Sequence, residues 1–332
     1  MLRDLCSFDD QLELENYDIK ELLGRGGFAN VFRATDKKTG EDIAIKIINC
    51  LPRNRKDKIA YHRNIFTPSY LNNSDTIRFL GYRLPLTDDE KKDPNKIQSI
   101  TYEGRNIDCT GYIFFLELVK HENLSNLTKD YLNSKITNYD TMNPTIRSKI
   151  IYGVASTMKK FHEKRQIHRD LKLEAVYLND RLEPKLGCLF LSKYVSNNCE
   201  MTMAIGTPYS MAPEVFMEGD FEYSFPVDVY SFAFILYKMF EDKIEFDDKR
   251  PIRSPQHYMM KISRRMRPVR PKSIPDVYWD LIQKCWVQDP NERPTFSEIV
   301  EMLKNDCYAL EEFGMKTNID ELHEYQRRID YF

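Results

Sequence analysis

The 332 residues carry 49 Lys+Arg against 51 Asp+Glu, a net charge of −2, with 42% hydrophobic and 30% charged residues. That balance excludes a wholly disordered chain and gives no global attraction to nucleic acid or acidic lipid, so either partner would need a local patch. Twelve glycines and sixteen prolines exclude collagen-like and low-complexity architectures, and the length suits two folded units or one large two-lobed domain.

In chain order, residues 1–16 are an acidic lead-in without a signal-peptide core. From Tyr17 the pattern is β: YDIKELLG and FANVFRATD alternate, and EDIAIKIINC is a β-branched run after the turn KKTG, which predicts three hairpin-linked strands. Residues 53–70 are basic and predict a helix. The stretches 76–84 and 111–119 predict two further strands, separated by a long polar insertion at 87–108. Within the insertion only KIQSITY has a strand pattern; the remainder reads as loop, solvated or available to a partner. After about residue 120 apolar residues recur at three- and four-residue spacing, in LSNLTKDYLN and in TIRSKIIYGVASTMKKFHEK. Residues 227–239 are apolar nearly all round, as in a helix buried at the centre of a lobe. VYWDLIQKCWVQ and TFSEIVEMLKN predict amphipathic helices, the second opened by Thr295 with Glu298 three residues on, a capping-box pattern. Between them and the central helix the basic run RRMRPVRPK reads as an exposed loop. The charged residues 311–332 predict a helical tail.

The seven cysteines are scattered without C-x-x-C spacing, so neither a zinc site nor a disulfide framework is expected. The longest apolar stretches, IFFL and FAFILY, are far short of a membrane span. A reducing, cytoplasmic setting is the expectation.

The chemistry-bearing residues come in order along the chain. LGRGGFANVF places Gly24, Gly26 and Gly27 in a hairpin, followed by Val31. Such a turn lets backbone N–H groups approach phosphates, although a glycine-rich hairpin with no ligand is an equal reading of that segment alone. In the next strand Lys46 interrupts an apolar face; behind the hairpin it becomes a candidate phosphate grip. IHRDLKLEAVYL, GTPYSMAPE, DVYSFAFILY and CWVQDPNERPTF follow downstream.

Together these ordered motifs resemble a eukaryotic protein kinase domain. The Cys-Trp…Asp-Pro…Arg-Pro-Thr block and DVYSF look like the tyrosine-kinase-like branch, while Lys172 and the Thr207 of Gly-Thr-Pro resemble its serine/threonine type. The resemblance implies an α+β protein-kinase-like fold: a small β-rich N-lobe over 17–118, carrying the insertion 87–108, and a larger, mainly helical C-lobe over 119–310. It implies an ATP site of Gly24, Gly26, Gly27, Val31, Ala44 and Lys46, with Leu116 as gatekeeper and Glu117 and Val119 in the adenine-binding hinge. It implies Asp170 as acceptor of a substrate hydroxyl proton and Lys172 beside the γ-phosphate. His168, Arg169 and Thr207 would brace the catalytic region, Asp228 would hold the HRD backbone, and Glu214 would pair with Arg293.

Three positions depart from the pattern. Ala175 stands where the metal-holding asparagine of HRDLKxxN belongs, and Cys188-Leu189-Phe190 replaces Asp-Phe-Gly. Kinase transfer needs metal ions held by that asparagine and aspartate, and a thiol is a poor ligand for hard Mg²⁺. Between Cys50 and Asp88 no glutamate occurs to ion-pair Lys46; helical spacing puts Asn64, or a neighbour such as His62, at that place. Both protein metal ligands are missing, so ATP, if bound, is expected to bind weakly, with Mg²⁺ dependence weak or absent.

The first reading is therefore a pseudokinase module acting on protein partners. The second is an active serine/threonine kinase with an unorthodox metal site, and the third is a kinase-fold scaffold independent of nucleotide. Partners or substrates are expected to be proteins, with no nucleic acid and no membrane span. Ser192, Tyr194, Ser196 and Thr202 lie in the activation segment, where phosphorylation would add charge that Arg169 can pair; solvated loop is the plainer reading.

Overall fold

The computed structural model describes residues 12–25, 29–48, 74–86, 90–93, 99–102, 105–134, 142–187, 193–194, 208–217, 224–312 and 314–331. The helix predicted at 53–70, with Asn64 and His62, lies outside the described residues, as do Gly26, Gly27, Cys188, Phe190 and Thr207. The chain divides into two compact units between Val119 and Lys120.

The first unit is built on a five-stranded antiparallel sheet of order β1-β2-β3-β7-β4. Its strands are β1 (Tyr17–Arg25), β2 (Ala29–Asp36), β3 (Asp42–Ile48), β4 (Phe79–Arg83) and β7 (Ile113–Glu117). The β2–β3 turn follows from its residues: Asp36 Oδ1 accepts from the amides of Lys38 and Thr39, and Gly40 takes the left-handed φ of +75° that a side chain would resist. Phe32, Ala34, Ile43, Ile45, Ile47, Ile113 and Phe115 alternate onto one face and form its buried core.

That face is sealed by two segments read from sequence as polar. β5 (Ser99–Tyr102) and β6 (Arg105–Asp108) pair antiparallel, with Ile100 opposite Ile107. Ile100 joins the core and the Tyr102 ring meets Phe32 at 5.6 Å. Arg105–Asp108, expected as loop, is therefore a strand; its single apolar residue, Ile107, is too little for a period-two signal. The end of the lead-in is also structural, because Leu14 is buried in the same cluster and the Leu12 amide donates to Tyr82 O at 3.1 Å.

The second unit contains α1 (Leu124–Ser134), α2 (Pro144–Glu163), β8 (Gln166–Ile167), β9 (Val176–Leu178), β10 (Pro184–Leu186) and β11 (Lys193–Tyr194). It continues with α3 (Pro226–Phe240), α4 (Pro255–Ser263), α5 (Asp276–Cys285) and α6 (Phe296–Leu303). It ends with β12 (Glu311–Glu312), β13 (Met315–Lys316) and α7 (Ile319–Tyr331). α3 is buried almost all round, as its continuous apolar sequence requires. α2 starts at Pro144 with Asn143 Oδ1 capping the Ile146 amide, and α6 starts with the reciprocal Thr295–Glu298 capping box.

Two expectations are corrected here. Residues 311–332 are not helical throughout, since a β-hairpin turning at Gly314 (φ +78°) precedes α7. The basic run 264–272 is only partly exposed: Arg267 turns inward, donating to Trp286 O and Gln288 Oε1 at 2.9 Å with its guanidinium 5.5 Å from the Tyr230 ring. No described helix is long and apolar enough to cross a membrane.

Candidate active site

In the first unit, the strand register sorts the nucleotide-site candidates. Val31 pairs with Lys46, Arg33 with Ala44, Ala44 with Leu116, and Lys46 with Phe114. Because side chains alternate, Val31, Ala44, Lys46 and Leu116 share the sheet face opposite the sealed hydrophobic core. Lys46 is half-buried on that face. Gly24 lies in β1 opposite Val31, at a register irregularity that follows Leu22. At the end of β7, Glu117 grips the chain before β4 twice: its amide donates to Arg78 O at 3.0 Å and its Oε1 accepts from Arg78 N at 2.8 Å. Val119 ends this unit.

In the second unit, the loop between β8 and β9 carries the acid–base candidates. Asp228, in the first turn of α3 and wholly buried, accepts from the amides of His168 (2.8 Å) and Arg169 (2.9 Å). Those bonds hold Arg169 at a left-handed φ of 67°, a conformation that costs a non-glycine residue about 1–2 kcal/mol. The Asp170 amide points to His168 Nδ1 at 3.3 Å, and His168 Nε2 lies 3.0 Å from Gly187 O. Nδ1 therefore accepts and Nε2 donates, which is the neutral imidazole. Complete burial pushes the His168 pKa down, in the same sense.

Asp170 is 8% exposed, and its Oδ2 lies 2.9 Å from Lys172 Nζ. A largely buried carboxylate and a partly exposed ammonium thus stand together in this loop, one able to take a proton and the other to draw an anionic group. Ala175 is fully buried; its amide donates to Lys172 O at 3.0 Å and its carbonyl accepts from Gly187 N at 2.7 Å. Its backbone thereby ties the loop between β8 and β9 to Gly187, just after β10, and its methyl group offers no ligand atom.

Elsewhere in the second unit, Glu214 and Arg293 form a bidentate ion pair with bonds of 2.6 and 2.8 Å. Arg293 also donates to Pro226 O and Val287 O at 3.0 Å, so the pair joins three segments in the buried interior. Sequence reasoning missed His162, in the last turn of α2, whose Nε2 lies 3.0 Å from Asp228 Oδ2. Asp228 therefore serves three nitrogens. A histidine six residues ahead of His168 was the available signal, but helical spacing alone gives it no partner.

The sequence profile of the protein kinase domain family matches residues 17–303. The chain is 27% identical over 308 residues to the RGS domain-containing serine/threonine-protein kinase A of Dictyostelium discoideum, covering 93% of this chain and 24% of that protein. It is 25% identical over 306 residues to sporulation-specific protein 1 of Saccharomyces cerevisiae, covering 92% of this chain and 55% of that protein. It is also 30% identical over 155 residues to serine/threonine-protein kinase STY17 of Arabidopsis thaliana, covering 47% and 26%.

Proposed function

The chain belongs to the protein kinase domain family, and from that premise we propose that it is a serine/threonine-type kinase module impaired in phosphotransfer, a pseudokinase that engages ATP weakly and acts by binding protein partners in the cytoplasm. The observation that carries the reading is Ala175, buried at the catalytic-loop position where a metal ligand is needed, with only backbone contacts to its neighbours. By sequence, Cys188 adds a second departure. Neither side chain supplies the oxygen that Mg²⁺ demands, so this donor set does not fit a magnesium ion.

ATP fits the first unit better. Val31, Ala44 and Leu116 give one sheet face an apolar surface for a base, and Lys46 on that face offers a cation for phosphate. ATP, when bound, supplies the phosphoryl group. Asp170 would accept the hydroxyl proton of a protein substrate, and Lys172 would balance charge beside it. Without metal ligands these residues have little to position. Losing one preorganised charge-stabilising group costs about 2.7–4 kcal/mol, a rate factor of roughly 10²–10³.

A second reading, an active kinase with an unorthodox metal site, is favoured by the Asp170–Lys172 pair at 2.9 Å. Transfer of radiolabelled phosphate to a generic protein substrate separates the two, with Asp170→Ala as control. The pseudokinase reading expects no label above the control, and the triple change Ala175→Asn, Cys188→Asp, Phe190→Gly is expected to raise it. Label from the wild type that disappears in the control overturns the reading. So does thermal stabilisation by ATP that requires Mg²⁺.

A further inference from the structure

The family profile ends at residue 303, yet residues 304–312 and 314–331 are packed into the second unit with specific contacts that a passive tail does not need. Two anchor points matter. At the first, Glu312 in β12 accepts from Arg147, a wholly buried guanidinium of α2, and from Tyr131 Oη of α1 at 2.8 Å. Arg147 also donates to Met239 O at 2.6 Å, near the end of α3, so Glu312 is the countercharge at the meeting of three helices.

At the second, α7 lies along α2 and reaches the β9–β10 hairpin. Asp330 accepts from Tyr152 Oη at 2.8 Å and Ser156 Oγ at 3.3 Å, both on α2. Arg328 donates to Glu183 at the tip of the hairpin. Between these bonds sits Gly153, where an added Cβ would lie 2.1 Å from Tyr325 Oη and 2.4 Å from Pro184 Cγ. Only a glycine lets the α7 tyrosine and the first residue of β10 both close on the helix. The hairpin so held is the one whose open end carries the catalytic loop: β9 starts directly after Ala175, and β10 runs into Gly187, which bonds both Ala175 and His168.

We propose that residues 304–331 are a strap that sets the position of the catalytic-loop hairpin against α2, with Tyr325 and Arg328 as positioning residues. The Arg328–Glu183 bond holds the hairpin tip, Tyr325 and Pro184 share the space over Gly153, and the Glu312–Arg147 pair fixes where the strap begins. The role is independent of whether the module transfers phosphate, because it concerns the order of the loop and not what the loop does.

Hydrogen exchange with mass-spectrometric readout on the full chain tests it, since local opening is read segment by segment. Arg328→Glu places two carboxylates together and is expected to speed exchange across 176–187 by roughly fivefold, the upper range for a partly exposed ion pair, while the amides of α3 keep their wild-type rates. Arg328→Lys, which retains the charge, is expected to stay within about twofold of wild type. Gly153→Ala should reproduce the 176–187 signature from the other side of the contact. Unchanged exchange at 176–187 in both Arg328→Glu and Gly153→Ala overturns the proposal. An equal rise in α3 also overturns it, because that marks loss of overall stability in place of local positioning.

Discussion

Asp228→Ala tests whether the buried carboxylate is the keystone of the catalytic loop. In the wild type it accepts from the buried amides of His168 at 2.8 Å and Arg169 at 2.9 Å and from the partly exposed His162 Nε2 at 3.0 Å. Alanine leaves two buried amides without an acceptor, each costing about 1–3 kcal/mol, and a partly exposed imidazole that costs less because water can reach it. Two effects reduce the sum: water can enter the space of the lost carboxylate, and Arg169 can relax from its left-handed φ of 67°. The net expectation is a loss of about 3–6 kcal/mol, a large share of the ~5–15 kcal/mol that holds a domain folded. For a unit of this size that lowers Tm by roughly 10–20 °C. Asp228→Asn should fall between, since one oxygen remains while its amide group opposes a donor. Urea unfolding followed by circular dichroism gives the free energies. A cost below about 1 kcal/mol, the level of an ordinary surface change, would refute the reasoning.

Two further outcomes rest on buried charge. Glu312→Ala strands the Arg147 guanidinium and is expected to cost about 3 kcal/mol in urea unfolding, whereas Glu312→Ala combined with Arg147→Met should recover most of it; a double variant no better than the single contradicts the pairing. His168 is held below its ordinary pKa of 6.5 by burial, so below that pH the unfolded chain takes up a proton that the folded chain does not. Stability should therefore fall as pH drops from 6.5 towards the folded pKa, with a limiting slope of ~1.4 kcal/mol per pH unit, and His168→Phe should flatten it; equal slopes in the two proteins would count against the neutral imidazole.

What was legible in the sequence divides by the range of the interaction. The capping box of Thr295 and Glu298 spans three residues and was read from spacing alone. The long apolar run of α3 and the hairpin of β2 and β3 are likewise local patterns. Asp228 and the His168–Arg169 amides are about 60 residues apart, and only a whole-chain resemblance suggests bringing them together. The helix of the C-terminal segment was legible, but its anchoring was not, because Arg147 and Glu312 are separated by 165 residues. An arginine in an amphipathic helix reads as a surface residue until a distant carboxylate is folded against it. Within the insertion the strand pattern of KIQSITY was legible as β5, but its partner β6 was missed for a compositional reason: Ile107 is its single apolar residue.

The same division explains why the fold is so much plainer than the activity. Glu214, Arg293, His168 and Asp228 each satisfy buried partners, so replacing any of them leaves unpaired polar groups in the interior. Ala175 differs in kind. Its amide and carbonyl make the bonds to Lys172 and Gly187 that shape the loop, and these are made by the backbone of any residue other than proline at the amide. On the proposed reading, a metal-binding side chain lost there leaves neither an unsatisfied donor nor a broken strand. The bracing residues are thus tied to the stability of the fold, whereas the identity of the side chain at position 175 is not. The motifs that identify the family are accordingly the ones least able to report whether phosphate is transferred, and the change at position 175 alters a side chain that the fold does not itself enforce.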